Sequence, residues 1–186
     1  ANFSNNTNIA TITLAAGPIA DAGALKTFHD NMRTLKDTAV VNVTNVTTIS
    51  GSYAELNSLI TLSDAGTITN FSGRDLTEDN AAISISNANT LSGKTTGTVT
   101  ATLSNMSLAD SADINETGHA YSITLTDASV DAGDLTTLDA KTTVDVNIGN
   151  VTTLTGSFTE VQQFYTDSAN FSNNTNIATI TLAAGP

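Results

Sequence analysis

VVNVTNVTTISGSYAEL, residues 40–56, carries the local grammar of this chain. Val41 and Val43 alternate with Asn42 and Thr44, the period-2 signature of a half-buried strand. Asn45 marks a corner, because an Asn side chain satisfies nearby backbone groups and tolerates unusual dihedrals. A single apolar residue, Ile49, follows. Ser52 then stands three residues before Glu55, an N-cap with an acid at N3 that opens a helix. Leu56, Leu59 and Ile60 continue at helical spacing.

The same order returns in VDVNIGNVTTLTGSFTEV (144–161), and IADAGAL (19–25) matches VDAGDL (130–135). Aligned on these, four further segments fall into register: ATITLAAGPIADAGAL (10–25), AISISNANTLSGKTT (82–96), VTATLSNMSLADSADI (99–114) and SITLTDASVDAGDL (122–135). Their inward positions are Ile12/Leu14, Ile83/Ile85, Val99/Ala101/Leu103, Ile123/Leu125 and, in 144–161, Val144/Val146/Ile148. Thr11/Thr13, Ser84/Ser86, Thr100/Thr102, Thr124/Thr126 and Asp145/Asn147 take the wet face. Asn45, Asn105 and Asn150 share the corner, with Asp127 and either Asn87 or Asn89 as counterparts. Stacked at one corner, such side chains can bond one another in a ladder. Helix-start pairs recur at Ser52/Glu55, Ser157/Glu160, Asp110/Asp113 and Asp131/Asp134.

A strand, a corner and a helix of one to three turns cannot bury an apolar face alone, so stacking is the natural solution. The pattern predicts a mainly β fold: a parallel β-solenoid with short capped helices at the corners, about six coils per period, with inserts near 26–39, 57–80 and 162–176. A string of antiparallel sandwiches is the rival, and caps recurring after each strand argue against tight hairpins.

Residues 1–18, ANFSNNTNIATITLAAGP, return unchanged as residues 169–186. Neither composition nor fold produces such an identity. Residues 1–186 therefore read as one segment of a tandem array with a period of 168 residues. The chain starts inside the repeat, so a signal peptide or anchor has room outside this piece.

Composition excludes several classes. Ser and Thr supply 51 residues, Lys and Arg only 6, and the net charge is -12, so binding nucleic acid by counterion release is disfavoured. There is no Cys, hence no disulfide framework or thiolate metal site. No apolar run approaches the ~18 residues needed to insert into a membrane.

No catalytic, cofactor-binding or metal-binding residue emerges. Asp110, Asp113, Asp131 and Asp134 invite weak calcium binding, but they lack the spacing of a calcium loop, and capping explains them. His29 and His119 lie in unrelated contexts, with no nucleophile and carboxylate gathered by motif. The Thr-x-Thr rows resemble an ice-binding face but are broken by Asn42, Ser84, Asp145 and Asn147. Ten Asn-x-Ser/Thr sequons, at Asn2, Asn5, Asn42, Asn45, Asn70, Asn105, Asn115, Asn150, Asn170 and Asn173, offer glycosylation sites that compete with corner roles.

VDAGDLTTLDAKTT (130–143) and NVTTLTGSFTEVQQFYTDSANFS (150–172) resemble the tandem repeats of giant cell-surface proteins of marine cyanobacteria and other aquatic bacteria, such as the swimming-associated giant surface proteins of marine Synechococcus. The resemblance covers about half of the period, and 26–39 and 57–80 depart from it. It implies secretion, an extracellular or cell-surface location and no catalytic residues. The expected function is structural and non-enzymatic: a long fibre or surface filament, its partners copies of itself along the array, with lateral association between fibres only where divalent cations, glycans or the protruding inserts bridge them. The alternatives are an adhesin stalk or an ice- or glycan-binding solenoid, and after these a polysaccharide-active β-helix enzyme.

Overall fold

The computed structural model describes residues 9–183. It corrects the expected fold class. The chain is mixed α/β, 35% helical and 29% strand, with five α-helices and several short parallel sheets. It is not a mainly β solenoid of about six coils. The reason lies in the stretches read as inserts, which carry much of the helix and, in 57–80, two further strands, Ile68–Thr69 and Asp75–Glu78. Residues 26–35 continue a helix of 14 residues, and residues 57–64 continue one of 12. The segment 82–96 does not open on a strand either. Ser84 Oγ accepts the Asn87 amide and the chain turns into a helix at Ile85, leaving Ile83 a single parallel bridge to Leu103.

The chain forms two compact units. The first comprises residues 9–81 and 90–100. It contains β1 (Thr11–Thr13), β2 (Gly17–Ile19), α1 (Ala22–Leu35), β3 (Val40–Asn42), β4 (Val46–Gly51), α2 (Tyr53–Asp64), β5 (Ile68–Thr69) and β6 (Asp75–Glu78). The end of α3 (Ile85–Ser92) and the start of β7 (Val99–Thr102) complete it. One sheet has the order β1-β3-β5, and β2, β4, β6 and β7 lie side by side in another. Every pairing is parallel, so each strand reaches its neighbour only after a crossover. Val41, Ile49, Leu56, Leu59 and Leu76 are fully buried between the strands and the helices.

The second unit comprises residues 82–89 and 101–183. It contains β8 (Ala120–Ser122), β9 (Ser129–Asp131), α4 (Ala132–Asp139), β10 (Val146–Asn147), β11 (Thr153–Gly156), α5 (Phe158–Thr166), β12 (Phe171–Ser172) and β13 (Thr179–Leu182). Its sheets are β9-β11-β13 and β10-β12, again parallel. Tyr121, Leu125, Leu135, Leu154 and Phe164 anchor its core, each at most 1% exposed. The residue expected inward at 144 is not there: Val144 is 40% exposed.

The expected helix starts form at α2, α4 and α5. Ser52 and Glu55 make a reciprocal capping box, and so do Ser157 and Glu160. Asp131 accepts the amides of Gly133 and Asp134, and Asp21 caps α1 through the Ala24 amide. The Asp110/Asp113 pair is displaced: the reciprocal bonds run between Ser107 and Asp110 at a 3-10 turn, 109–113. Each box also touches the helix before it. A Cβ on Gly23 would lie 2.6 Å from Glu55 Oε1, and one on Gly51 would lie 2.7 Å from the Ala22 Cβ. Only glycine lets the caps of α1 and α2 approach so closely.

Removing the cap and removing the core residue beside it separate these contributions. Ser157→Ala is expected to cost about 1 kcal/mol, and Leu154→Ala about 2–5 kcal/mol. Both are read as lower urea midpoints at constant slope.

Candidate functional site

The residues that the sequence singles out do not converge on a chemical centre. Among the described residues, no three His, Asp or Glu side chains gather as a metal group. Asp131 and Asp134 line an open cleft of about 480 Å³ in the second unit, with Lys141 on its wall. Asp131 is committed to the α4 amides, and the Lys141 ammonium donates to the Ile114 carbonyl. Asp110 is held below the usual carboxylate range by the Ser107 hydroxyl and then the Ser107 amide. The Ser157 amide, followed by its hydroxyl, does the same to Glu160. These acids stabilise helix starts.

The two histidines are buried, one in each unit, His29 at 2% and His119 at 8% exposure. His29 Nδ1 lies 2.9 Å from Asp30 Oδ1 on α1. His119 packs its ring on Tyr121 at 5.4 Å, and its carbonyl accepts the Thr143 amide.

The asparagines do bond one another, but not at the expected corner. Asn70 Nδ2 donates to Asn42 Oδ1 at 2.9 Å, and Asn173 Nδ2 donates to Asn147 Oδ1 at 3.0 Å. Asn70 and Asn173 have φ of 61° and 58°, the described non-glycine residues in the left-handed region. This is a conformation that Asn tolerates better than most residues. The corner residues Asn45 and Asn150 instead reach back one segment to the carbonyls of Leu14 and Leu125. Of the ten sequons, those at Asn42, Asn45, Asn70, Asn150 and Asn173 thus have side-chain amides in structural bonds. Asn170 bonds Asp139, and Asn2 and Asn5 lie outside the described residues.

What the units do present, among the described residues, is open strand edges. β1 is the outermost strand of β1-β3-β5, and β13 is the outermost strand of β9-β11-β13. They are the same sequence, since 11–14 repeats as 179–182. In the first place Ile12 and Leu14 are half-buried. In the second, Ile180 and Leu182 are 44% and 51% exposed. Sequence reading located this strand but not its two seats, because one string of letters fits both.

No protein-family model matches the chain, and comparison with curated proteins and with solved structures returns no match.

Burial holds the His119 imidazole below its ordinary pKa, with the carboxylate of Glu116 acting the other way. A histidine kept neutral in the fold but free to protonate when unfolded gives stability that is full above its unfolded pKa, about 6.5. That stability declines as pH falls from there towards the folded value. The fall in urea midpoint between about pH 7 and pH 5 is therefore expected to be shallower in His119→Gln than in the parent chain.

Proposed function

We propose that this chain is a structural, non-enzymatic tandem-repeat protein that continues end to end into a long fibre at the cell surface or outside the cell. The observation that carries the reading is the carbon-copied strand, seated as an outermost parallel strand both times it occurs. An edge strand exposing two large apolar side chains is a template for further pairing, and a repeated sequence supplies a matching partner by construction. The partners are accordingly copies of the same repeat.

Charge and surface composition support the extended form. A net charge of -12 with Thr, Ser and Asn facing solvent keeps separate fibres hydrated and apart. Exposed strand residues such as Thr11, Thr13, Thr100 and Thr102 contribute to that coat. The resemblance to giant surface-protein repeats points to the same location.

Electron images of the native material are expected to show thin, long fibres with a regular axial repeat. Compact monodisperse particles at the mass of one period would overturn the reading.

A further inference from the structure

We propose that the strand ATITL is shared between successive periods: one copy pairs through one edge with β11 of its own period and through the other with β3 of the next. This rests on the array reading above and specifies its joint.

The argument begins with which backbone groups each seat uses. In a strand, successive residues turn their N–H and C=O to opposite edges, and a parallel neighbour engages alternate residues only. Against β3, the even-numbered residues of the first copy are engaged: the Ala10 carbonyl accepts the Val40 amide, and the Leu14 amide donates to the Asn42 carbonyl, both at 3.0 Å. Against β11, the odd-numbered residues of the strand proper, Thr179–Leu182 and the alanine after it, are engaged: the Thr179 amide donates to the Thr152 carbonyl at 3.1 Å, and the Ala183 amide donates to the Gly156 carbonyl at 2.7 Å. The Ala178 amide, just before the strand, shares the Thr152 carbonyl at 2.9 Å, a group that the β3 seat does not use, since there the equivalent Ala10 engages its carbonyl. Thr179 and Ala183 repeat Thr11 and Ala15. The two seats therefore use opposite edges of one strand and do not compete.

The faces agree as well. Ile180 is in register with Leu154, and Ile12 is in register with Val41. Because Ile180 and Ile12 are the same repeat position, one strand in both seats aligns a single apolar row: Val130, Leu154, Ile180/Ile12, Val41 and Ile68. The four residues other than the shared isoleucine are each at most 4% exposed. The exposed Ile180 fills the gap between them, in a parallel sheet of five strands.

The chain already contains the finished version of this joint. β11 repeats β4 within the common stretch of 45–52 and 150–157, and β13 sits on β11 as β6 sits on β4. The matching registers are Leu154↔Ile180 and Ile49↔Leu76. β6, however, is paired on both edges. The Asp79 amide donates to the Gly51 carbonyl, and the Leu76 amide donates to the Thr98 carbonyl, the first step of its pairing with β7. Leu76 is 0% exposed, whereas Ile180 at the equivalent place is 44% exposed. β3 of the next period completes β13 as β7 completes β6.

The test uses a chain of two periods, residues 1–168 followed by 1–186, whose middle copy of the strand is the joint. Paired parallel strands lie ~4.8 Å apart, within disulfide reach. Thr11→Cys in the middle copy is therefore combined either with Thr153→Cys of the first period or with Val40→Cys of the second. The in-register pairs Thr153↔Thr179 and Thr11↔Val40 of the 186-residue chain serve as controls. Both disulfides are expected. Formation of only one, or of neither, overturns the shared strand. In the chain without substitutions, the middle-copy amides equivalent to Ile180 and Leu182 are expected to exchange at least about 100-fold more slowly than those of Ile180 and Leu182 in the 186-residue chain. Equal rates overturn it. Fibres in electron images together with failed cross-links would leave the array reading standing and remove only this joint. Cross-links without fibres would do the reverse.

Discussion

Parallel pairing is the constraint from which the rest of this structure follows. A parallel neighbour cannot be reached by a tight turn, so the chain must leave each sheet, cross over and return. In the paths that lead to β3, β5, β10 and β12, the crossover is a helix, and each such helix needs a start. Ser52/Glu55, Ser157/Glu160, Asp21 and Asp131 supply those starts, and the close glycines at 23 and 51 let one start nest against the next. The cap motifs are thus the local cost of a sheet whose neighbours are distant in sequence.

The same constraint explains which parts of the fold were legible. The order of strand, corner and cap around Ser52 and Ser157 is written in residue types with direct mechanisms, and it is found where expected. The length of the helices was not legible. On α1 the outward face carries Lys26 and Asp30, joined by an ion pair, while His29 takes an inward position that pattern reading assigns to apolar residues. The pattern from Lys26 onward therefore offers no continuous apolar stripe, and 26–39 reads as an insert. Alternation over three or four residues also says that a strand exists without saying how far its sheet extends, so a continuous β wall was inferred where short sheets stand between helices. In 82–86 the alternation was real, yet Ser84 capped a helix across it.

The asparagine pairs show a subtler limit. Composition suggested a ladder of Asn side chains, and Asn–Asn bonds exist at 42/70 and 147/173. The letters could not distinguish them from Asn45 and Asn150, whose amides are drawn to a carbonyl of the preceding segment. Position relative to the backbone, set by tertiary packing, decides which asparagine meets another. The candidate interaction edge was likewise visible only as a repeated string. Its meaning depends on hydrogen-bond parity, which has no sequence signature.

The identity of the two copied strands has a consequence for how such an array folds. Specific proteins usually avoid wrong partners by making the wrong pairing worse, but β11 has no chemical means of telling its own period's strand from that of any other period or molecule. Selection falls to connectivity: a tethered strand arrives at a high effective concentration, whereas a strand from another chain must compete at its bulk concentration. An array joined as proposed would therefore be accurate when synthesised and folded in order, and open to domain exchange when many unfolded copies are refolded together.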